Sequence, residues 1–271
     1  MALTKGWAAD MENILEVKEL TMDFGGLRAV DSVDLYVKPK EIVALIGPNG
    51  AGKTTFFNCV TGIYTPTKGD ILVNSNRGGV RINGFKPNRV TERGLARTFQ
   101  NIRLFPNMTV LENVMIGKHC RLSAKIFGAL FRDKKTRAEE LKAAQECYVI
   151  LEKLGLEKAC DELASNLPYG DQRKLEIARA LATEPKMLLL DEPAAGMNPQ
   201  ETVDLTHLIR MIRDTEQIAI LLIEHDMKLV MNLSERIYVM DHGQKIADGT
   251  PVEIRNNPEV IKAYLGEDID A

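Results

Sequence analysis

A glycine-rich turn set between an apolar run and a helix-forming run constrains this chain more than any other feature. Residues 41–46 read Glu-Ile-Val-Ala-Leu-Ile, a short apolar strand. The strand runs into Gly47-Pro48-Asn49-Gly50-Ala51-Gly52-Lys53-Thr54, which fits the pattern Gly, four residues, Gly-Lys-Ser/Thr. Residues 53–61 then read as a helix closed by Gly62. Glycines at these places let successive backbone N–H groups turn inward toward phosphate oxygens, and the helix N-terminus adds positive potential. Lys53 brings a full positive charge to the β- and γ-phosphates of a nucleotide, and the Thr54 hydroxyl can ligate Mg²⁺. Thr55, in the same turn, is counted with the nucleotide-binding residues.

Two further apolar runs end in acidic or ionisable residues. Residues 187–190 (Met-Leu-Leu-Leu) lead into Asp191-Glu192, and residues 218–223 lead into Glu224-His225-Asp226. Strands that are apolar throughout and alternate with helices indicate a parallel sheet covered on both faces. Ligands in such sheets bind beyond the carboxyl ends of the strands. Asp191 there can hold Mg²⁺ through its water shell. Glu192 is placed to accept a proton from an attacking water, and His225 can hydrogen-bond a γ-phosphate.

The remaining sequence frames this core. Val33, Leu35 and Val37 alternate with Asp34 and Tyr36 as in a half-buried strand, and Leu15, Val17 and Leu20 belong to another. Residues 71–73 and 80–82 flank a Ser-Asn-Arg-Gly-Gly turn and predict a hairpin. Thr109 with Glu112 forms a capping box. Leu141, Ala144, Tyr148, Leu151 and Leu154 recur every three or four residues, an amphipathic helix stopped by Gly155. Residues 118–137 are rich in Lys and Arg around Ile126, Phe127, Leu130 and Phe131. They suit either a membrane surface or, the reading adopted here, an ordinary solvated helix. Residues 1–13 read as a leader, 14–92 and 171–271 as core and β subdomain, and 93–170 as a helical insertion.

Composition excludes several classes. Hydrophobic residues are 45% and charged residues 27% of the 271, so neither global disorder nor a collagen-like repeat is open. A net charge of −3 does not suit a nucleic-acid-wrapping protein. The longest strongly apolar stretch, 218–223, falls far short of the ~20 residues a membrane-spanning helix needs. Acidic Asp10 and Glu12, with no apolar run near them, give no secretory signal. The four cysteines are widely spaced and are expected as free thiols in a reducing compartment. Together these features predict a soluble, cytoplasmic chain.

The order of the motifs resembles that of an ABC transporter ATPase subunit. The likeness rests on the glycine loop, Thr98-Phe99-Gln100, Asp191-Glu192 and Glu224-His225. It extends over essentially the whole chain from Ile14. Phe24-Gly-Gly, Leu111-Glu-Asn-Val, Leu175-Glu-Ile-Ala-Arg, Asp191-Glu-Pro-Ala-Ala-Gly-Met-Asn-Pro and the tail from Asn256 are most similar to one subfamily, the ATP-binding subunit of bacterial branched-chain amino acid importers. The resemblance implies an α/β fold: a P-loop NTPase (RecA-like) core with an antiparallel β subdomain and an inserted α-helical subdomain. It implies ATP and Mg²⁺ as ligands, Phe24 stacked on adenine, and Gln100 touching both Mg²⁺ and the attacking water. It places Asn198 where the family has its D-loop Asp; Asn before Pro199 is also an ideal helix cap.

The partners implied are a second ATP-binding subunit, different from this one or a second copy of it, and two transmembrane permeases. A periplasmic binding protein acts indirectly, and the chain sits peripherally on the cytoplasmic face of the inner membrane. Urea or amides are alternative solutes, and a soluble ATPase of the same superfamily is the alternative class. One departure stands out. The family signature Leu-Ser-Gly-Gly-Gln reads Leu167-Pro168-Tyr169-Gly170-Asp171 here. Pro168 offers neither hydroxyl nor N–H to a phosphate, and Asp171 is negative at low cost only as a helix N-cap.

Overall fold

The computed structural model describes residues 12–75, 78–121 and 134–265. Most of the expected leader, the middle of the basic stretch 118–137, part of the 75–79 turn and Gly266 of the tail lie outside the described residues. The chain divides into two compact units, one running up to Arg97 and resuming at Lys186, the other being Thr98–Pro185.

Two sheets build the first unit. Strands β1 (Leu15–Phe24) and β2 (Leu27–Val37) form an antiparallel hairpin turned at Gly25, whose φ of +58° favours glycine. Strands β4 (Lys68–Ser75) and β5 (Gly78–Arg81) pair antiparallel as the expected second hairpin, and the sheet order is β2-β1-β4-β5. Val33, Leu35 and Val37 are buried while Asp34 and Tyr36 are exposed, so the alternation read in the sequence marks the inner face.

The second sheet contains β3 (Ile42–Ile46), β6 (Leu95–Arg97), β7 (Met187–Asp191), β8 (Ala219–Ile223), β9 (Arg236–Asp241) and β10 (Gln244–Gly249). Their order is β10-β9-β3-β8-β7-β6, parallel except for β10. Every residue of β3, β7 and β8 is buried, which explains why these strands are apolar throughout. The register sets Leu45 opposite Ile223 and Ile223 opposite Asp191, so the carboxyl ends of β3, β8 and β7 lie abreast. Helix α1 (Lys53–Val60) follows the glycine loop. Its Phe56 and Phe57 are fully buried in one core cluster with side chains of both sheets, each burial contributing about 1.5–3 kcal/mol. Helix α2 (Pro87–Glu92) precedes β6.

The second unit is helical. Helix α3 (Val110–Lys118) begins with the expected capping box, Thr109 Oγ1 accepting from the Glu112 N–H and Glu112 accepting from the Thr109 N–H. Helix α4 (Lys134–Lys153) ends before Gly155, whose φ is +71°. Its inward face differs from the expected one. Ala143, Cys147, Leu151 and Leu154 are buried, whereas Leu141 and Tyr148 are exposed. The two faces are a residue apart and share Leu151 and Leu154. Small Ala143 and Cys147 fill the inner positions, and the larger side chains face outward. Helix α5 (Tyr169–Leu181) crosses α3 closely enough that a Cβ on Gly117 would stand 2.1 Å from the Arg179 carbonyl oxygen. Cys59 and Cys147 are buried thiols, and burial pushes the Cys59 thiol up to about 12. Among the described residues no helix is long and apolar enough to cross a membrane.

The observed face of α4 predicts a contrast. Leu151→Ala should cost about 2–5 kcal/mol in urea unfolding. Leu141→Ala should change stability by no more than about 0.5 kcal/mol. Equal losses would restore the expected face.

Candidate functional site

The glycine loop leaves β3 at Gly47, whose φ is +149°. A Cβ there would stand 2.0 Å from the Met240 carbonyl oxygen of β9, so the loop is pressed against the neighbouring strand. Gly52 caps α1 at φ +96°, and its Cβ would stand 2.4 Å from the Ala29 carbonyl oxygen of β2. Both positions exclude any side chain, and both hold the loop's curvature. The turn between β9 and β10 props it further: the Gly243 N–H donates to the Ala51 carbonyl (3.1 Å) and the Gly243 carbonyl accepts from the Asp31 N–H (2.8 Å).

Lys53 is buried, at 5% exposure. Its Nζ donates to the Gly47 carbonyl (2.6 Å) and the Pro48 carbonyl (2.7 Å), spanning the loop it belongs to. Thr54 is exposed and Thr55 partly buried in the first turn of α1, where no acidic residue opposes the helix dipole.

Asp191 closes β7 and is buried. Its Oδ2 accepts from Arg97 Nη2 at 2.6 Å. Glu192 follows with φ +48°, a strained backbone for a residue with a side chain, and its N–H donates to the Ile223 carbonyl of β8 (3.0 Å). Glu192 Oε1 and His225 Nε2 lie 3.1 Å apart, so the structure brings these two predicted residues together.

Glu224 explains how His225 is held. Its buried carboxylate accepts from the N–H groups of Ala194 (2.7 Å), His225 (3.0 Å) and Asp226 (3.4 Å). One carboxylate thus ties the segment after β7 to the segment after β8. Burial raises its pKa, against the pull of those donors. Asp226 then caps helix α7 (Met227–Leu233), accepting from the Lys228 and Leu229 N–H groups. Asn198 likewise caps helix α6 (Pro199–Glu216), in a capping box with Glu201.

Phe24 ends β1 partly exposed, its ring edge-on to Tyr64 at 5.2 Å. Gln100 belongs to the second unit. There it is exposed, and its carbonyl accepts from Arg173 of α5. Arg173 also donates to the Phe99 carbonyl (2.7 Å) and to the Tyr169 hydroxyl (3.0 Å). Asp171 does not cap α5. Pro168 is the N-cap, and Asp171 sits one turn inside, paired with Lys174 at 2.9 Å. Pro168 needs no N–H at that position, so the helix starts three residues earlier than a side-chain cap at Asp171 would require.

Sequence reasoning missed Arg97 and the bracing role of Glu224. Glu224 carried a signal, since it ends a fully apolar strand as Asp191 does. Arg97 carried none, because a buried arginine and a surface arginine read alike.

The comparisons with known proteins identify the family. Residues 30–195 match the ABC transporter family, and residues 244–270 match the family described as branched-chain amino acid ATP-binding cassette transporter. The chain belongs to the ABC transporter family, as one of its ATP-binding cassettes, and these are ATPases. It is 50% identical over 254 residues to the high-affinity branched-chain amino acid transport ATP-binding protein LivG of Escherichia coli (strain K12), covering 94% of this chain and 98% of that protein. Identity and coverage are the same for the counterpart BraF of Pseudomonas aeruginosa. A crystal structure of an ABC transporter ATP-binding cassette in its ADP conformation has a TM-score of 0.80 and 31% identity, covering 94% of this chain and 100% of that one.

Glu224 makes a pH prediction. A pKa raised in the folded state stabilises the fold at low pH, and that contribution is lost as pH rises through the raised value. Glu224→Gln cannot titrate. Its melting temperature relative to wild type should therefore improve as pH rises above the ordinary carboxylate range. A gap that does not vary with pH would contradict the raised pKa.

Proposed function

We propose that this ATPase energises uptake of branched-chain amino acids. In this reading it works with Mg²⁺, paired with a second ATP-binding subunit and seated on two membrane permeases at the cytoplasmic face. A periplasmic binding protein delivers the solute. The observation that carries the chemistry is the strand register. It sets the glycine loop, Asp191-Glu192 and His225 along one sheet edge, with Glu192 and His225 3.1 Å apart. The 50% identity to LivG and BraF supports the solute and favours branched-chain amino acids over urea or amides.

In this reading the loop amides and Lys53 bind the phosphates. The Lys53 ammonium exchanges the Gly47 and Pro48 carbonyls for phosphate oxygens. Phe24 supports the adenine. Thr54 and Asp191 would hold Mg²⁺ together with Gln100. Thr54 and Asp191 fit as donors, since both present oxygen, as a hard cation requires. Among the described residues no group of three or more His, Cys, Asp or Glu gathers as a closed metal site. Bound to Thr54 and Asp191, Mg²⁺ supplies charge neutralisation at the phosphates. Glu192 takes the proton of the attacking water, and His225 holds the Glu192 carboxylate in place. The altered signature, with Pro168 and Tyr169, would face the partner's nucleotide and make that site the slower one.

Three predictions separate binding from turnover and identify the solute. Lys53→Ala should abolish the nucleotide-dependent rise in melting temperature, which for wild type at 100 times the dissociation constant corresponds to about 2.7 kcal/mol. Glu192→Gln should keep that rise and lose turnover by about 10²–10⁴-fold. In proteoliposomes holding the complete transporter, leucine, isoleucine or valine on the binding protein should stimulate ATP hydrolysis. Stimulation by urea and not by these would overturn the solute.

A further inference from the structure

Arg97 closes β6 opposite Leu189 of β7. Its side chain is only 6% exposed, as is that of Asp191. One arm of the guanidinium, Nη2, donates to Asp191 Oδ2 at 2.6 Å. The other, Nη1, donates to Asn58 Oδ1 at 2.8 Å and to Thr61 Oγ1 at 3.0 Å. Asn58 is in α1 and Thr61 is its C-cap. The guanidinium carbon also lies 5.5 Å from the centroid of Phe57, another α1 residue. Thr61 is itself fixed, its hydroxyl donating to the Phe57 carbonyl at 2.7 Å.

These contacts join two elements with different duties. Helix α1 carries Thr54 in its first turn, and β7 carries Asp191 at its end. Arg97 grips α1 with one arm and Asp191 with the other. A guanidinium is planar and always charged, with donors in a fixed fork, so it can set both distance and orientation. A lysine ammonium is a point charge that could meet the carboxylate without also holding Asn58 and Thr61. Arg97 engages Oδ2, and among the described residues no other side chain engages that carboxylate.

We infer that Arg97 is a positioning residue for the metal: it sets the Asp191 carboxylate in register with Thr54, so that the two oxygen donors meet one Mg²⁺. The inference rests on the proposal that Thr54 and Asp191 hold Mg²⁺. Partners behind a metal ligand typically change metal affinity by about 10–100-fold when removed.

The test is a Mg²⁺ titration of the ATP-dependent rise in melting temperature. Wild type, Asp191→Asn, Arg97→Gln and Arg97→Lys are compared, each also with ATP in EDTA and without nucleotide. The expected result is a Mg²⁺ midpoint raised about 10–100-fold in Arg97→Gln. Arg97→Lys, which keeps the charge and loses the fork, should show a smaller rise in the same direction. The ATP response in EDTA should match wild type throughout. Arg97→Gln leaves Asp191 buried without its partner; if that variant does not fold, Arg97→Lys decides. A wild-type midpoint in Arg97→Lys overturns the role, whatever happens to the melting temperature without nucleotide. So does loss of the EDTA response, which would make Arg97 a general binding residue. A wild-type midpoint in Asp191→Asn removes the metal assignment itself and the Arg97 role with it. A raised midpoint there and not in the Arg97 variants overturns the Arg97 role alone.

Discussion

Parallel pairing of β3 with β8 and β8 with β7 is the constraint on which the rest depends. Parallel strands need crossovers, so each strand end on this edge opens a loop that leads to a helix. The register fixes which residues those loops start with. A slip of one residue would turn Asp191 away from the face it occupies and separate Glu192 from His225. Burial on both faces resists such a slip, because every residue of the three strands would have to find a new neighbour.

The loop itself depends on contact with elements it does not belong to. Gly47 lies on the β9 backbone and Gly52 on the β2 backbone, and Gly243 bonds to Ala51. The antiparallel sheet is therefore more than a frame for Phe24. Its second strand is part of the wall that shapes the phosphate loop. The Lys53 ammonium donates to two carbonyls of that loop, so this buried cation is hydrogen-bonded by the loop it serves.

Much of this was legible in the residues. Fully apolar runs ending in Asp191 and Glu224 announced buried parallel strands, and the glycine spacing announced the loop between β3 and α1. Thr109 with Glu112, and Asn198 with Pro199, announced helix starts, because caps act through neighbours in sequence. Most of what failed depended on partners distant in sequence. The inward face of α4 is set by the elements it packs against, and these select Ala143 and Cys147 over the bulkier Leu141 and Tyr148. Asp171 looked like a cap because a carboxylate before a helix usually is one, yet Pro168 already occupied that position. Arg97 acquires its meaning only when residues 39 and 94 positions away converge on it.

Glu192 shows what a site of this kind costs its fold. A left-handed backbone at a residue with a Cβ is disfavoured by about 1–2 kcal/mol, and glycine would relieve it. Selection for stability alone would therefore drift toward glycine at this position, and a thermostability screen on the isolated chain would score that change as a gain. Such a chain would be the more robust protein and would lack the carboxylate beside His225. The strain at Glu192 is thus a stability cost carried at a residue that the proposed mechanism uses.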